Sequence, residues 1–116
     1  VLNNNPKEHC VYIIDLDEAV VDEVKRFREA NQDCKYDPVR YLYIGQTGGT
    51  PEKRFHAHKN NSSGSKIVKE FGIELARDLM KIHSQYNLSK REALMLEASL
   101  TIELRNNDTR FATYSK

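Results

Sequence analysis

Tryptophan is absent from this 116-residue chain, and cysteine occurs only twice. Cys10 and Cys34 have no C-x-x-C spacing and no neighbouring metal ligands, which argues against a disulfide scaffold or a zinc module. Free thiols in a reducing compartment are the expectation. Long hydrophobic runs are also missing. Nothing approaches the roughly 20 apolar residues of a membrane span, and the opening VLNNNPKEH has no signal-peptide hydrophobic stretch. A cytoplasmic protein with no membrane partner is expected. Net charge is scarce too, at +1. Dedicated nucleic-acid binders are often more basic.

The small sum hides a segregated distribution. From Lys53 to Lys69 there are five Lys or Arg, two His and no acid, whereas Asp15 to Val24 holds five acids and no base. One basic face is compatible with a neutral total, as are two ordinary solvated faces. The length suits one domain over 1–116 with a single core.

Residues 1–8 read as a frayed polar lead-in. Cys10–Leu16 (CVYIIDL) is β-branched and aromatic, and reads as a buried strand. A helix starting at Asp17 or Asp22 and ending near Ala30 follows from the spacing of Val20, Val21, Val24 and Phe27. Residues 31–39 are loop-like, with Pro38 as punctuation. Arg40–Gln46 (RYLYIGQ) is the second strand. Thr47-Gly48-Gly49 forms a turn, Thr50 is the N-cap and Pro51 the first position of a helix to about Lys59.

Asn60–Ser65 (NNSSGS) reads as a flexible loop, and Lys66–Phe71 as a short helix stopped by Gly72. Residues 73–86 follow neither helical nor strand periodicity. Ser89 and Glu92 form a capping box, with Leu88 and Ala93 placed for a hydrophobic staple. They start a helix from Lys90 to about Arg105.

Several residues carry chemistry. Alternate side chains of a strand share a face. If the two strands pair with Tyr12 near Tyr43, both phenols project from one side, where they can bind water or a phosphate oxygen. Arg54 and His58 are one helical turn apart and so share a face. Arginine presents a planar fork suited to phosphate, and histidine exchanges protons near neutral pH. Glu97 falls on the apolar face of the last helix, with Ala93, Leu94, Leu100 and Leu104 within about 60° of it at 100° per residue. A carboxylate there is costly without a partner, either a basic group or a metal ion. Each feature alone has a bland alternative: common strand tyrosines, a solvated basic stripe, or a glutamate at the stripe's edge.

Taken together, Val11-Tyr12-Ile13, Tyr43-Ile44-Gly45, Arg54 with His58, and Glu97 resemble the GIY-YIG nuclease superfamily over residues 10–104. The run YLYIGQTGGTPEKRFHAHK is the most specific part. ALMLEASL is similar to the E-A-x-x-x-E-A-x-L stretch of excision-repair members. The resemblance implies an α+β fold with a small, mostly antiparallel sheet of about three strands flanked by helices, the third strand lying within 74–83.

It implies Tyr12, Tyr43, Arg54, His58 and Glu97 as catalytic residues. Glu97 would bind one divalent ion, Mg²⁺ or Mn²⁺. Lys53, Lys59, Lys66 and Lys69 would line the nucleic-acid path. DNA is the expected substrate, with RNA left open and a separate targeting domain or protein partner possible.

Three departures accompany the resemblance. Cys10 stands where the first motif has glycine. About thirty residues separate the two tyrosines, so 17–39 is a helical insertion. Asn106 and Asn107 are the candidates for an asparagine that many members carry after the last helix. The rival readings are a catalytically silent nucleic-acid or protein binding module on the same fold, and an interaction protein using the 17–30 helix.

Overall fold

A computed structural model describes residues 8–34, 37–60, 64–105 and 110–116. Asn106, Asn107 and most of the expected N-terminal lead-in lie outside the described residues. The protein is α+β. Its elements run β1 (Cys10–Leu16), α1 (Val20–Glu23), α2 (Lys25–Ala30), β2 (Arg40–Thr47), α3 (Pro51–Asn60), α4 (Lys66–Phe71), β3 (Gly72–Leu75), α5 (Arg77–His83), α6 (Lys90–Arg105) and β4 (Phe111–Ser115). No helix among the described residues is long and apolar enough to cross a membrane. Cys10 and Cys34 are both free thiols.

The sheet has the order β3-β1-β2-β4. β1 pairs antiparallel with β2 and with β3, while β2 and β4 run parallel. The sheet is mostly antiparallel as expected, and the expected count of about three strands is corrected. β4 was not foreseen, and it makes the described sheet four-stranded and mixed. In β1, Val11, Tyr12, Ile13 and Ile14 are buried in succession, so both faces of the strand are covered. That explains why the segment reads as a continuous apolar run.

The single helix expected up to Ala30 is two short ones. Val24 between them is extended (φ −118°, ψ 102°). The break leaves carbonyls that a continuous helix would use, and Arg28 Nη1 donates to two of them, Val21 O at 2.7 Å and Asp22 O at 3.2 Å. Val20 and Phe27, on either side of the break, are both fully buried. Packing of these two anchors outweighs the weak helix propensity of a β-branched segment.

The third strand begins earlier than expected, at Gly72, and residues 77–83 are helical. Gly72 follows α4 with an ordinary extended backbone (φ −66°, ψ 127°), so it ends the helix without a left-handed turn. It is glycine because a side chain there would collide with Val68 O. The last helix behaves as its caps dictate. Ser89 N–H donates to Glu92 Oε1 at 2.9 Å, and Glu92 N–H to Ser89 Oγ at 3.1 Å. Leu94 departs from the expected apolar stripe and is exposed, whereas Ala93, Glu97, Leu100 and Leu104 are buried.

Edge strand β4 is fastened from the side by Asn31. Its Oδ1 accepts from Thr113 N–H at 2.9 Å, and its Nδ2 donates to Thr113 O at 3.0 Å and Phe27 O at 2.8 Å. One amide thus satisfies an edge residue as a further strand would. Asn31→Ala strips these partners and is expected to cost about 1–3 kcal/mol. Urea unfolding of the variant beside wild type measures this; an unchanged midpoint would show that the amide contributes nothing.

Candidate active site

The register of β1 against β2 builds the floor of the site. Tyr12 lies opposite Gly45 and Ile14 opposite Tyr43. Tyr12 and Tyr43 are therefore diagonal neighbours on one face of the sheet. Both are almost completely buried. Gly45 must be glycine, because a side-chain carbon there would overlap the phenol end of Tyr12.

α3 supplies the wall. Thr50 Oγ1 accepts from Lys53 N–H at 3.1 Å, capping a helix whose first residue is Pro51. That start fixes the phase at which Arg54 and His58 follow. His58 is 1% exposed. Its Nε2 lies 2.8 Å from Tyr12 Oη, and its Nδ1 accepts from Ser65 N–H at 2.8 Å. The ring packs edge-on to Tyr43, with centroids 5.9 Å apart. Both ring nitrogens are thus engaged within the protein.

α6 brings Glu97, which is 9% exposed. Pairing of β2 with β4 ends at Ile44–Ser115, and the Gln46 backbone N–H beyond that point favours the charged form of the Glu97 carboxyl. No salt bridge reaches Glu97 among the described residues. Burial raises its pKa to about 7, with the Gln46 N–H pulling weakly the other way.

The electrostatics tie the five residues together. Burial pushes the Tyr12 phenol well above its ordinary range. Tyr43 and Glu97 add to that rise, and the Arg54 guanidinium opposes it. Tyr43 is raised by burial and by Glu97, and lowered by its hydrogen bond with Ser65 and by Arg54. His58 is lowered to about 4 by burial, then by the positive charges of Arg54 and Lys116. Near neutral pH it is therefore an uncharged imidazole.

Four residues of this neighbourhood were not anticipated: Gly64, Ser65, Tyr114 and Lys116. A side chain on Gly64 would meet the His58 backbone and ring, so the chain passes flush against the imidazole. Tyr114 arrives on β4 and Lys116 directly follows it, and their electrical influence reaches Tyr43 and His58 respectively. The NNSSGS composition signals a loop and says nothing about what Gly64 and Ser65 touch. The β4 residues were missed because that strand was missed.

Of the four lysines expected to line a nucleic-acid path, Lys53, Lys66 and Lys69 are exposed. Lys59 is placed differently. Its ammonium donates to Lys69 O and Gly72 O at 2.9 Å each and to Val68 O at 3.5 Å, capping the carboxyl end of α4. His56 bonds Asn60 on the exposed side of α3 and takes no part in the site.

A divalent ion is the group that the resemblance implies. Among the described residues no three His, Cys, Asp or Glu gather as a metal cage. Magnesium commonly binds through one or two carboxylates, completing its shell with water and substrate phosphate. A single buried carboxylate with no cationic partner fits that mode. Compared with protein-family models, curated proteins and solved structures, the chain matches none.

The sign of the Glu97 effect on stability follows from linkage. Between about 4.5 and about 7 the folded chain holds a proton that the unfolded chain has released, so this group's contribution falls as pH rises. His58 acts oppositely, losing stability as pH falls from 6.5 to about 4. Glu97→Gln removes only the first effect. In metal-free buffer its urea midpoint is expected to exceed wild type at about pH 8 and to lose that advantage at about pH 4.5. An equal advantage at both pH values would mean that Glu97 titrates normally.

Proposed function

We propose that this domain is a metal-dependent endonuclease of the GIY-YIG kind, hydrolysing phosphodiester bonds in DNA. The observation that carries the reading is the convergence of Tyr12 from β1, Tyr43 from β2, Arg54 and His58 from α3 and Glu97 from α6. A binding surface has no need of a buried carboxylate within electrical reach of two phenols and, among the described residues, without an ion-pair partner. Phosphodiester cleavage needs cations where charge grows and oriented oxygens where water attacks.

In this reading Arg54 binds non-bridging phosphate oxygens and stabilises the charge that develops on them. The Tyr12 and Tyr43 phenols orient the attacking water against the phosphorus. His58 holds the Tyr12 oxygen in place. Glu97 is the protein ligand for Mg²⁺ or Mn²⁺, which when bound supplies Lewis-acid stabilisation of the phosphate. Lys53, Lys66 and Lys69 offer flanking positive charge to the nucleic-acid backbone. The altered role of Lys59 weakens that basic track, which favours a separate domain or protein that delivers the target.

The test is cleavage of supercoiled plasmid and of single-stranded DNA with Mg²⁺, Mn²⁺ or EDTA. Wild type is expected to nick only with metal. Glu97→Ala and Arg54→Ala are each expected to lower the rate on the order of 100-fold or more. Circular dichroism establishes that the variants remain folded. Full cleavage by either variant would overturn the site. A folded wild type that binds DNA without cutting would favour the silent binding module.

A further inference from the structure

Gly64, ahead of α4, lies close against His58. A side-chain carbon on Gly64 would lie 2.6 Å from His58 Cα and 2.8 Å from its Nδ1, so only glycine fits. This approach sets Ser65 N–H on Nδ1 at 2.8 Å. A backbone N–H only donates, so Nδ1 presents its lone pair there. The one ring proton of a neutral imidazole then sits on Nε2, and His58 is the donor in its 2.8 Å bond with Tyr12 Oη. The phenol oxygen accepts, and the phenol's own proton is directed away from His58. Ser65 also reaches the second tyrosine, since its side chain neighbours the Tyr43 phenol. The same hydroxyl accepts from Val68 N–H at 3.4 Å and caps α4.

We infer that the Gly64–Ser65 turn is a positioning element of the site, whose backbone N–H locks His58 as a fixed Nε2–H donor to Tyr12. The turn thereby removes His58 from the groups that exchange protons with substrate, and it leaves the Tyr12 hydroxyl proton free for water or phosphate. It also makes the two tyrosines unequal. Tyr12 has an oxygen braced by an N–H donor, while Tyr43 has a hydroxyl for a neighbour. The catalytic consequence rests on the nuclease reading, and the geometry does not.

Proline offers a direct test. Ser65 has φ −66°, within proline's range, and the preceding glycine is permissive; the proline Cδ takes the place of the N–H and presses on His58 Nδ1. Ser65→Pro therefore deletes the N–H together with the hydroxyl, and Ser65→Ala deletes the hydroxyl alone. Long-range ¹⁵N–¹H correlation spectra of the full chain at neutral pH report which nitrogen of His58 carries the proton.

Wild type and Ser65→Ala are expected to show a pyridine-like Nδ1 and a pyrrole-like Nε2. Ser65→Pro is expected to lose that single tautomer and to slow plasmid nicking on the order of tenfold or more, as loss of an outer-sphere orienting bond does elsewhere. If Ser65→Pro does not fold, Gly64→Ala displaces the same N–H and is read by the same spectrum.

A wild-type proton on Nδ1, or an unchanged tautomer when the N–H is gone or displaced, overturns the proposal. The expected tautomers in a protein that cuts no DNA with any metal would uphold the lock and remove the nuclease reading.

Discussion

The antiparallel register of β1 and β2 is the constraint on which the rest of the structure depends. It puts Tyr12 across from Gly45, the one residue of that stretch of β2 with no side chain to obstruct the ring. A slip of one residue would turn Tyr12 to the opposite face and place it out of reach of His58. The register is secured at its other end by charge. Arg40 on β2 donates through Nε and Nη2 to Asp15 on β1 at 2.9–3.1 Å, and through Nη1 to Asp78 on α5 at 2.6 Å. A forked, partly buried contact of this sort fixes geometry more strictly than an exposed ion pair. β3 then holds the far side of β1, so the strand cannot shift without breaking two ladders.

On that floor, burial decides the protonation states. His58 and Glu97 both sit where water is largely excluded, and in each case desolvation favours the neutral form. The imidazole meets this cost by having a partner at each nitrogen. The carboxyl has no ion-pair partner among the described residues. This difference separates their roles: one side chain is finished internally, and the other is left with unmet demand for positive charge. Within the proposed nuclease, the first belongs to the scaffold of Tyr12 and the second faces the ion and phosphate.

The basic run from Lys53 to Lys69 shows how a composition signal divides once the chain is folded. Arg54 faces the tyrosines, Lys59 caps the carbonyls at the end of α4, and Lys53, Lys66 and Lys69 remain in solvent. Helical phase separates Arg54 from Lys53, since neighbours in sequence point about 100° apart. The lysine stem reaches three carbonyls only because α4 folds back beside α3. The charge is continuous along the chain, but the fold divides it between the tyrosine site, the end of α4 and solvent.

By itself the sequence determined the elements whose signals are local. β1 and β2 follow from their apolar and aromatic runs, α3 from Thr50 and Pro51, and α6 from the Ser89–Glu92 box. The helix period turned Glu97 inward, whereas the two tyrosines share a face only in the β1–β2 register that the fold supplies. Tertiary structure decided what depends on distant partners. It broke the 20–30 helix at Val24 so that Val20 and Phe27 could both be buried. It moved β3 forward to Gly72 against β1, and it added β4, a short edge strand that takes its order from β2 and Asn31. It also brought Ser65 to His58, a contact made by a backbone N–H that no residue identity encodes. Propensity and periodicity act over a few residues, whereas register, burial and a histidine's tautomer are set by atoms that meet only in the folded chain.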